Sequence, residues 1–599
     1  MTALSFKGKE FVYNHHLAVP FRPLVPHPEK GIGSASLDGN LIIQGDNLHA
    51  LKALLPYYAG KVDCIFIDPP YNTGNEDWCY NDNVNAPMIR EWLDSNPIGI
   101  EDGLRHDKWC AMMWPRLRLL RELLSETGSF WMTIGEDEIH RAKALIGEIF
   151  GEENFIACCV WQKRYSRENR EAIGDVHDYI LVYANYPSDF KNRRNKVPMN
   201  EEQGRVYRNP NNDPMGPWRP IPMTAQAGHA TPDQFYEIKA PSGTVFTPSP
   251  GRCWGVSEKT FLELKRQGRI YFGKDGNSQP NVIRYLSEVE GLVPWTWWPS
   301  DEVGHTDEAK KEIYAILGAE IDFDTPKPTK LLDRIIHIAT KSDSIILDSC
   351  AGSGTTAQAV LKANRSDGGN RRFILVEMED YADRLTAERV RRVINGYGFH
   401  GTQKTELLRE RLTFSTLKSS EKLLHQIEGI ENLQGHEFDR IKKEVKDGEL
   451  IVTGEKSVES RAEGLGGSFT YCTLGEPIEL DKILTGQDLP AYGSLGAVLF
   501  NMATSQVLDS AAIREADFYL GSTESRHVWL IYKPDLEWLK SPDAALTLSR
   551  AQIFAASDPE KRHLVFAPAR YVSQKMLAEQ NLPVEFVPLP FALYRIDRS

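Results

Sequence analysis

Four consecutive residues, Asp68-Pro69-Pro70-Tyr71, set an acid, two rigid imino acids and an aromatic ring directly after the apolar run Val62-Asp63-Cys64-Ile65-Phe66-Ile67. Two prolines in series fix the chain, so that Asp68 and a peptide carbonyl point outward as acceptors while Tyr71 offers a flat face for stacking. Those groups suit an exocyclic amine on an extruded base. A second cluster, Asp348-Ser349-Cys350-Ala351-Gly352-Ser353-Gly354-Thr355-Thr356, follows another apolar run. Gly352 and Gly354 let a ligand approach the backbone closely, and the helix N-terminus that follows favours a negative group such as a carboxylate. Glu377 closes the next apolar run, 23 residues beyond Gly354, where an acid can hydrogen-bond ribose hydroxyls. The chain contains no GxxxxGK[ST] loop, which disfavours a nucleoside triphosphate as ligand.

Both clusters require strands beneath them. The run at 62–67 is short, rich in branched residues and bounded by Gly60 and Pro69-Pro70, the pattern of a buried strand. Before it, Leu41 to Asp46 reads as a strand and Asn47 to Tyr58 as a helix. Strand, helix, strand in so short a span predicts a parallel α/β sheet. The rhythm continues with a helix from Trp109 to Leu124 and strands at 130–134 and 179–183. It resumes with a helix over 331–338 and strands at 344–348 and 373–377. Between about 190 and 322, Pro, Gly, Asn and Trp dominate without that rhythm, so an irregular module splits the sheet. The charged stretch 435–465 reads as a linker or solvated helix. Strands at 527–532, 563–567 and 584–587, with a helix over 570–580, predict a small α/β domain at the end. The divisions are an arm (1–40), two halves of an α/β doubly wound domain (41–190 and 323–400), an insertion (191–322) and a C-terminal domain (401–599).

At 599 residues the chain is too long for one core. Its 41% hydrophobic and 26% charged content excludes disordered, collagenous and coiled-coil classes. Eight cysteines without a CxxC pair give neither a disulfide framework nor a zinc site, and fit a reducing compartment. The N-terminal residues lack the apolar core of a signal peptide, and the apolar runs are too short to span a bilayer; the expectation is a soluble cytoplasmic protein with no membrane partner. A net charge of −13 argues against a surface that clings everywhere to nucleic acid, so any such contact is a local patch. Residues 161 to 210, with ten Lys/Arg against seven Asp/Glu, are the first candidate. Asp233, Glu237 and Lys239 match a magnesium nuclease pattern, but nuclease sites usually place the two acids on different strands of a hairpin, which needs a longer gap than the three residues between them here. Glu136, Glu138 and His140 are read as the start of a solvated helix rather than as metal ligands.

The order Gly45-Asp46, Asp68 to Tyr71, insertion, Phe323-Asp324-Thr325-Pro326-Lys327-Pro328, Asp348 to Thr356 and Glu377 resembles the permuted β class of S-adenosylmethionine-dependent DNA amino-methyltransferases. Within it, Asn72-Thr73-Gly74 and Asn209-Pro210-Asn211-Asn212-Asp213-Pro214 with Gly216-Pro217-Trp218-Arg219 look like the modification (Mod) subunit of Type III restriction-modification systems. The resemblance covers about residues 10 to 400 strongly and the rest loosely. It implies a circularly permuted Rossmann-like sheet, S-adenosyl-L-methionine as cofactor, and methyl transfer to the N6 amino group of an adenine flipped from double-stranded DNA. Asp68 and the Pro69 carbonyl would accept hydrogen bonds from that amine, Pro70 would hold the loop, and Tyr71 would stack on the base. Asp46 would face the cofactor's adenine and Glu377 its ribose, with Lys327, Asp68 and the turn of Asp348, Cys350, Ala351, Gly352, Ser353, Gly354, Thr355 and Thr356 around its methionine end. Cys350 stands where the family usually has Phe, which makes that apolar contact smaller.

The insertion would then be a target-recognition domain, with Lys163, Arg164, Arg167, Arg193, Arg194, Arg208 and Arg219 as candidates for phosphate or guanine contacts. Trp295, Trp297 and Trp298 either stack on bases or belong to a core. The C-terminal domain would pair two copies into a homodimer and dock an ATP-dependent restriction (Res) subunit, and would be dispensable for cofactor binding. Two alternatives stand beside this reading: a cytosine-N4 methyltransferase, a class that more often shows Ser-Pro-Pro where this chain has Asp68, and a non-catalytic DNA-binding specificity subunit.

Overall fold

Apolar runs flanked by glycine or proline become the strands of one large sheet in the computed structural model, which describes residues 3–73, 103–165, 172–199, 204–318, 320–321, 323–446, 448–477, 489–504, 506 and 508–589. Ten strands make up this sheet among the described residues. They are β1 (Leu24–Pro26), β2 (Leu41–Gln44), β3 (Val62–Ile67), β4 (Leu124–Ile134), β5 (Phe155–Gln162), β6 (His177–Ala184), β7 (Trp297–Trp298), β8 (Ile345–Asp348), β9 (Arg372–Glu377) and β10 (Thr470–Leu474). Their order across the sheet is β1-β10-β2-β9-β8-β3-β4-β6-β5-β7. From β10 to β4 all neighbours run parallel, whereas β6 runs against β4 and β5, and β1 against β10. Residues such as Ile43, Ile65 and Leu347 are fully buried, as expected where helices cover both faces of a parallel sheet.

Helices α1 (Asn47–Tyr58), α2 (Arg105–Leu123), α3 (Ile139–Phe150), α4 (Thr329–Ala339) and α5 (Thr355–Asp367) make most of the crossovers. β3 leads through α2 to β4 on one side, while β8 leads through α5 to β9 on the other. The winding therefore reverses between β3 and β8, neighbours with Leu347 opposite Ile65. The carboxyl ends of two such strands form the crevice in which open α/β sheets bind ligands. This is the doubly wound, permuted arrangement expected from the sequence.

Three segments differ from the sequence reading. β10 lies within residues assigned to a separate C-terminal domain, yet it pairs in parallel with β2 and buries Tyr471 and Cys472 completely. The N-terminal arm contributes to the large sheet: β1 pairs with β10, and the Lys9 ammonium sits 2.6 Å from Glu148 and over the Trp114 ring. The charged stretch near 435–465 forms neither linker nor helix. Strands Gly396–Arg411, Glu449–Glu463 and Arg440–Lys446 make an antiparallel ribbon, whose cross-strand ion pair Arg409–Glu449 spans 2.8 Å. Charged residues dominate these strands and leave no sustained apolar alternation from which a strand could be read, although Val452 is buried.

Beyond it, strands Tyr519–Ser522, Arg526–Leu530, Arg562–Ala567 and Val584–Pro588 form a four-stranded sheet. The helix Tyr492–Thr504 beside that sheet shares its core with Phe21 and Tyr57. Residues Asn195–Pro294 are a second compact unit, built of short antiparallel strands such as Trp218–Pro222 against Asn281–Tyr285, with a core of Trp254, Phe261, Ile238 and Phe272. Residues 295–318, read from sequence as part of the insertion, belong with the large sheet instead, where Trp298 is buried in β7. Among the described residues no helix is long and apolar enough to cross a membrane.

Candidate active site

β3 ends at Ile67, so Asp68 emerges at the carboxyl edge of the sheet. Its Oδ1 accepts from Thr133 Oγ1 at 2.5 Å and its Oδ2 pairs with Lys327 Nζ at 2.5 Å. The same ammonium lies 5.2 Å from the centre of the Tyr71 ring. Trp109 Nε1, on α2, donates to the Pro70 carbonyl at 2.8 Å. Tyr71 packs against the backbone of Gly135, where a Cβ would stand 2.9 Å from its ring. Burial, followed by the neighbouring Asp68 and Asp178 carboxylates, raises the Tyr71 phenol well above its ordinary range, so it stays neutral.

The glycine turn after β8 is held from beneath. Asp348 accepts from the Cys350 amide at 3.0 Å and from Thr356 Oγ1 at 2.5 Å. Glu377 Oε2 accepts from the Gly352 amide at 2.7 Å, and Oε1 from the Glu379 amide at 3.0 Å. Gly352 has φ +50°, and a Cβ there would meet Phe323 at 3.2 Å; Phe323 in turn meets Tyr381 edge-on at 5.7 Å. Arg389, fully buried, donates to Ser353 Oγ and Thr355 Oγ1, both at 2.9 Å. Burial keeps the Cys350 thiol protonated by pushing its pKa up, with Asp348 and Glu377 adding to the effect, so it is no nucleophile.

Burial also lifts Asp348 from 3.8 to about 7, against the opposing bonds from Thr356 and the Cys350 amide. The folded chain then binds a proton that the unfolded chain has lost. The resulting contribution is present below pH 3.8 and disappears as pH rises through about 7. Asp348→Asn keeps the shape and removes the titration. It is expected to flatten the fall in unfolding temperature across that interval, measured by thermal melts; an unchanged slope would place the titrating group elsewhere.

One cavity of about 670 Å³ joins the two motifs, lined by Asp68 to Tyr71, Lys163, Arg164, Lys327, Asp348, Cys350 to Ser353, Thr355, Thr356 and Glu377. That size suits a small-molecule ligand. Two of the cofactor-binding candidates do not line it. Asp46 caps α1, accepting from the amides of Leu48 at 2.8 Å and His49 at 3.3 Å, and the next residue, Asn47, reaches the cavity instead. Gly354 is the αL residue at the start of α5, tucked against the Thr386 carbonyl. Sequence reasoning missed Asn47, Arg116, Asp178 and Tyr381 in the lining, and Arg389 behind it. Asp178 is buried and bound by Lys163 Nζ at 2.7 Å; alternation along its strand gave no hint of that.

The described basic candidates are divided between the two compact units. The Lys163 ammonium is held between Asp175 at 2.6 Å and Asp178 at 2.7 Å inside the cavity, not on a basic surface. Arg193 and Arg194 close the short helix Pro187–Arg193. Arg208 pairs by backbone with Trp218 in the smaller unit, where the Arg219 guanidinium covers the Tyr207 ring at 5.2 Å. Arg167 and Gly74 lie outside the described residues. Trp298 is core, whereas Trp295 and Trp297 are exposed. Asp233 and Glu237 are exposed as well, with Asp233 in a 3₁₀ turn and Glu237 before a two-residue strand. Glu136 and His140 are exposed, but Glu138, expected on a solvated helix, is fully buried.

The DNA methylase family model matches residues 62–388. The Type III restriction-modification enzyme StyLTI Mod subunit of Salmonella typhimurium is 34% identical over 388 residues, covering 63% of this chain and 58% of that protein. The EcoPI Mod subunit of Escherichia phage P1 is 30% identical over 379 residues, covering 57% and 58%. Type II methyltransferase M.KpnI of Klebsiella pneumoniae is 30% identical over 376 residues, covering 58% and 82%. The matched part of the chain thus spans little more than half the length of the Mod subunits it resembles.

Proposed function

The chain belongs to the DNA methylase family, and we propose that it is a sequence-specific adenine-N6 methyltransferase using S-adenosyl-L-methionine, the modification (Mod) subunit of a Type III restriction-modification system. The observation that carries this reading is the meeting of the Asp68 to Tyr71 loop and the glycine turn in one cavity, at the point where the sheet's winding reverses.

The residues present fit the cofactor. The Gly352 backbone is open where any Cβ would crowd Phe323. Glu377 is fixed by the Gly352 and Glu379 amides and lines the cavity, where its carboxylate would meet a ribose hydroxyl. Cys350, Phe323 and Tyr381 offer apolar contact, and Lys327 supplies a cation for a carboxylate. Asp46 serves by placing Asn47 rather than by touching the ligand itself. When bound, the cofactor supplies an electrophilic sulfonium methyl group. Asp68 and the Pro69 carbonyl hold the attacking amine and enrich its lone pair. As the nitrogen turns tetrahedral and positive, fixed acceptors stabilise it more than the planar ground state, so Asp68 need not remove a proton beforehand. Tyr71 offers its face to the flipped base and offsets part of an unstacking cost of a few kcal/mol.

The unit at 195–294 is assigned to target recognition and residues beyond 401 to assembly, with a second copy and a restriction (Res) subunit as partners in the cytoplasm. Asp68 suits the amine of adenine or cytosine alike; similarity to Mod subunits favours adenine. Mass spectrometry of nucleosides from DNA methylated by this chain is expected to show N6-methyladenine. N4-methylcytosine as the main product would overturn the choice of base, and the absence of any transfer would favour a non-catalytic specificity subunit.

A further inference from the structure

Asn72, the residue after Tyr71, is buried with φ +59°, a left-handed conformation in which Asn is among the few tolerated side chains. Its Nδ2 donates to Glu138 Oε1 at 2.5 Å and to the Arg105 carbonyl at 3.2 Å. Glu138 is fully buried, just ahead of α3. Its Oε1 also pairs with His106 Nδ1, and its Oε2 lies 3.7 Å from Arg141 Nη1. A carboxylate withdrawn from water is costly unless its partners are fixed, and here one of those partners belongs to the catalytic loop. Three residues before Glu138, Gly135 provides the backbone surface on which the Tyr71 ring rests. From the other side, Trp109 on α2 holds the Pro70 carbonyl. Pro70, Tyr71 and Asn72 are therefore gripped in succession by α2 and by the turn from Gly135 to Glu138.

We propose that Glu138 is a positioning residue for methyl transfer, which acts through Asn72 to fix Tyr71 and the acceptors of Asp68 and Pro69 against the target amine. The assignment rests on the reading above. It assigns a catalytic consequence to a buried acid that lies outside the cavity lining and contacts no reacting atom.

The test compares Glu138→Ala, Glu138→Gln and Asn72→Gly in the full chain, measuring single-turnover methylation of duplex DNA at saturating cofactor and DNA, with cofactor binding followed by calorimetry. Glycine accepts the positive φ without strain, so Asn72→Gly removes the contact while sparing the fold. Glu138→Ala and Asn72→Gly are each expected to slow the step by about 10²-fold, the scale of an ångström-sized misplacement, with cofactor affinity unchanged within a few-fold. Glu138→Gln retains an acceptor oxygen for Asn72 and should recover most of the rate. The double variant should be no slower than the slower single, because both remove one contact. A purely structural role would lower the melting temperature and leave the single-turnover rate of the folded chain intact. Wild-type rates in Asn72→Gly, or losses that multiply in the double variant, would overturn this assignment alone. A wild-type chain that transfers no methyl group would overturn it together with the reading on which it rests.

Discussion

Asp68→Ala is expected to slow methyl transfer by about 10²- to 10³-fold, the usual cost of removing one preorganised group that acts on developing charge, while S-adenosylmethionine binding stays within a few-fold. On the proposed reading Asp68 meets the amine, whereas the turn at Gly352 and the Glu377 carboxylate meet the cofactor; the hydrogen bonds that hold the turn go to Asp348 and Glu377 rather than to Asp68. Its hydrogen-bonding partners include Thr133, Lys327 and the Tyr71 hydroxyl. The substitution leaves the Lys327 ammonium beside Tyr71 without its carboxylate, and a cation there opposes a nitrogen that is becoming positive. Asp68→Asn keeps an acceptor for Thr133 but no charge, so its rate should fall between the two. Pre-steady-state methylation paired with equilibrium dialysis of the cofactor separates the effects. If dialysis showed cofactor binding lost along with the rate, Asp68 would be a cofactor ligand and its role toward the amine would be wrong.

Both halves of this site were legible because each is compressed into a few adjacent residues after an apolar strand. Their meeting was legible only through the resemblance. Asp68 and Gly352 stand far apart in the chain, and only the pairing of β3 with β8 makes them neighbours. Charged residues that do structural work inside the protein were the main loss. Arg389 and Glu138 occur in stretches whose composition reads as a solvated helix, and their burial depends on partners brought from other elements: Ser353 and Thr355 for the first, Asn72 and His106 for the second. Lys163 misled in the opposite direction, since a cluster of basic residues in sequence suggests a surface and Asp178 draws this one inward. β10 escaped because Thr470-Tyr471-Cys472-Thr473-Leu474 is brief and partly polar, and its place between β1 and β2 follows from partners more than four hundred residues earlier.

That last strand changes what removal of the C-terminal residues should do. A chain ending at 400 is expected to lose its cooperative melt, or to aggregate, rather than to retain cofactor binding. It would lack β10, whose Tyr471 and Cys472 are fully buried, and each large apolar side chain returned to water costs roughly 1.5–3 kcal/mol. The ladder against β2 would go as well, along with the pairing that seats β1. Phe21 and Tyr57 would lose the helix Tyr492–Thr504 beside them. Domains are typically stable by only about 5–15 kcal/mol, so losses of this kind are a large fraction of the total, and the bared edge of β2 is a template for pairing with other chains. A chain ending at 477 keeps β10 but loses the packing of the helix Tyr492–Thr504 on Phe21 and on α1 around Tyr57. It should therefore melt cooperatively at a lower temperature and still bind S-adenosylmethionine. Melts and size-exclusion profiles of the two truncations against the full chain decide the point. A chain ending at 400 that melts as sharply and as high as the full-length protein would show that β10 is an accessory strand, and that the sheet is complete with β2 at its edge.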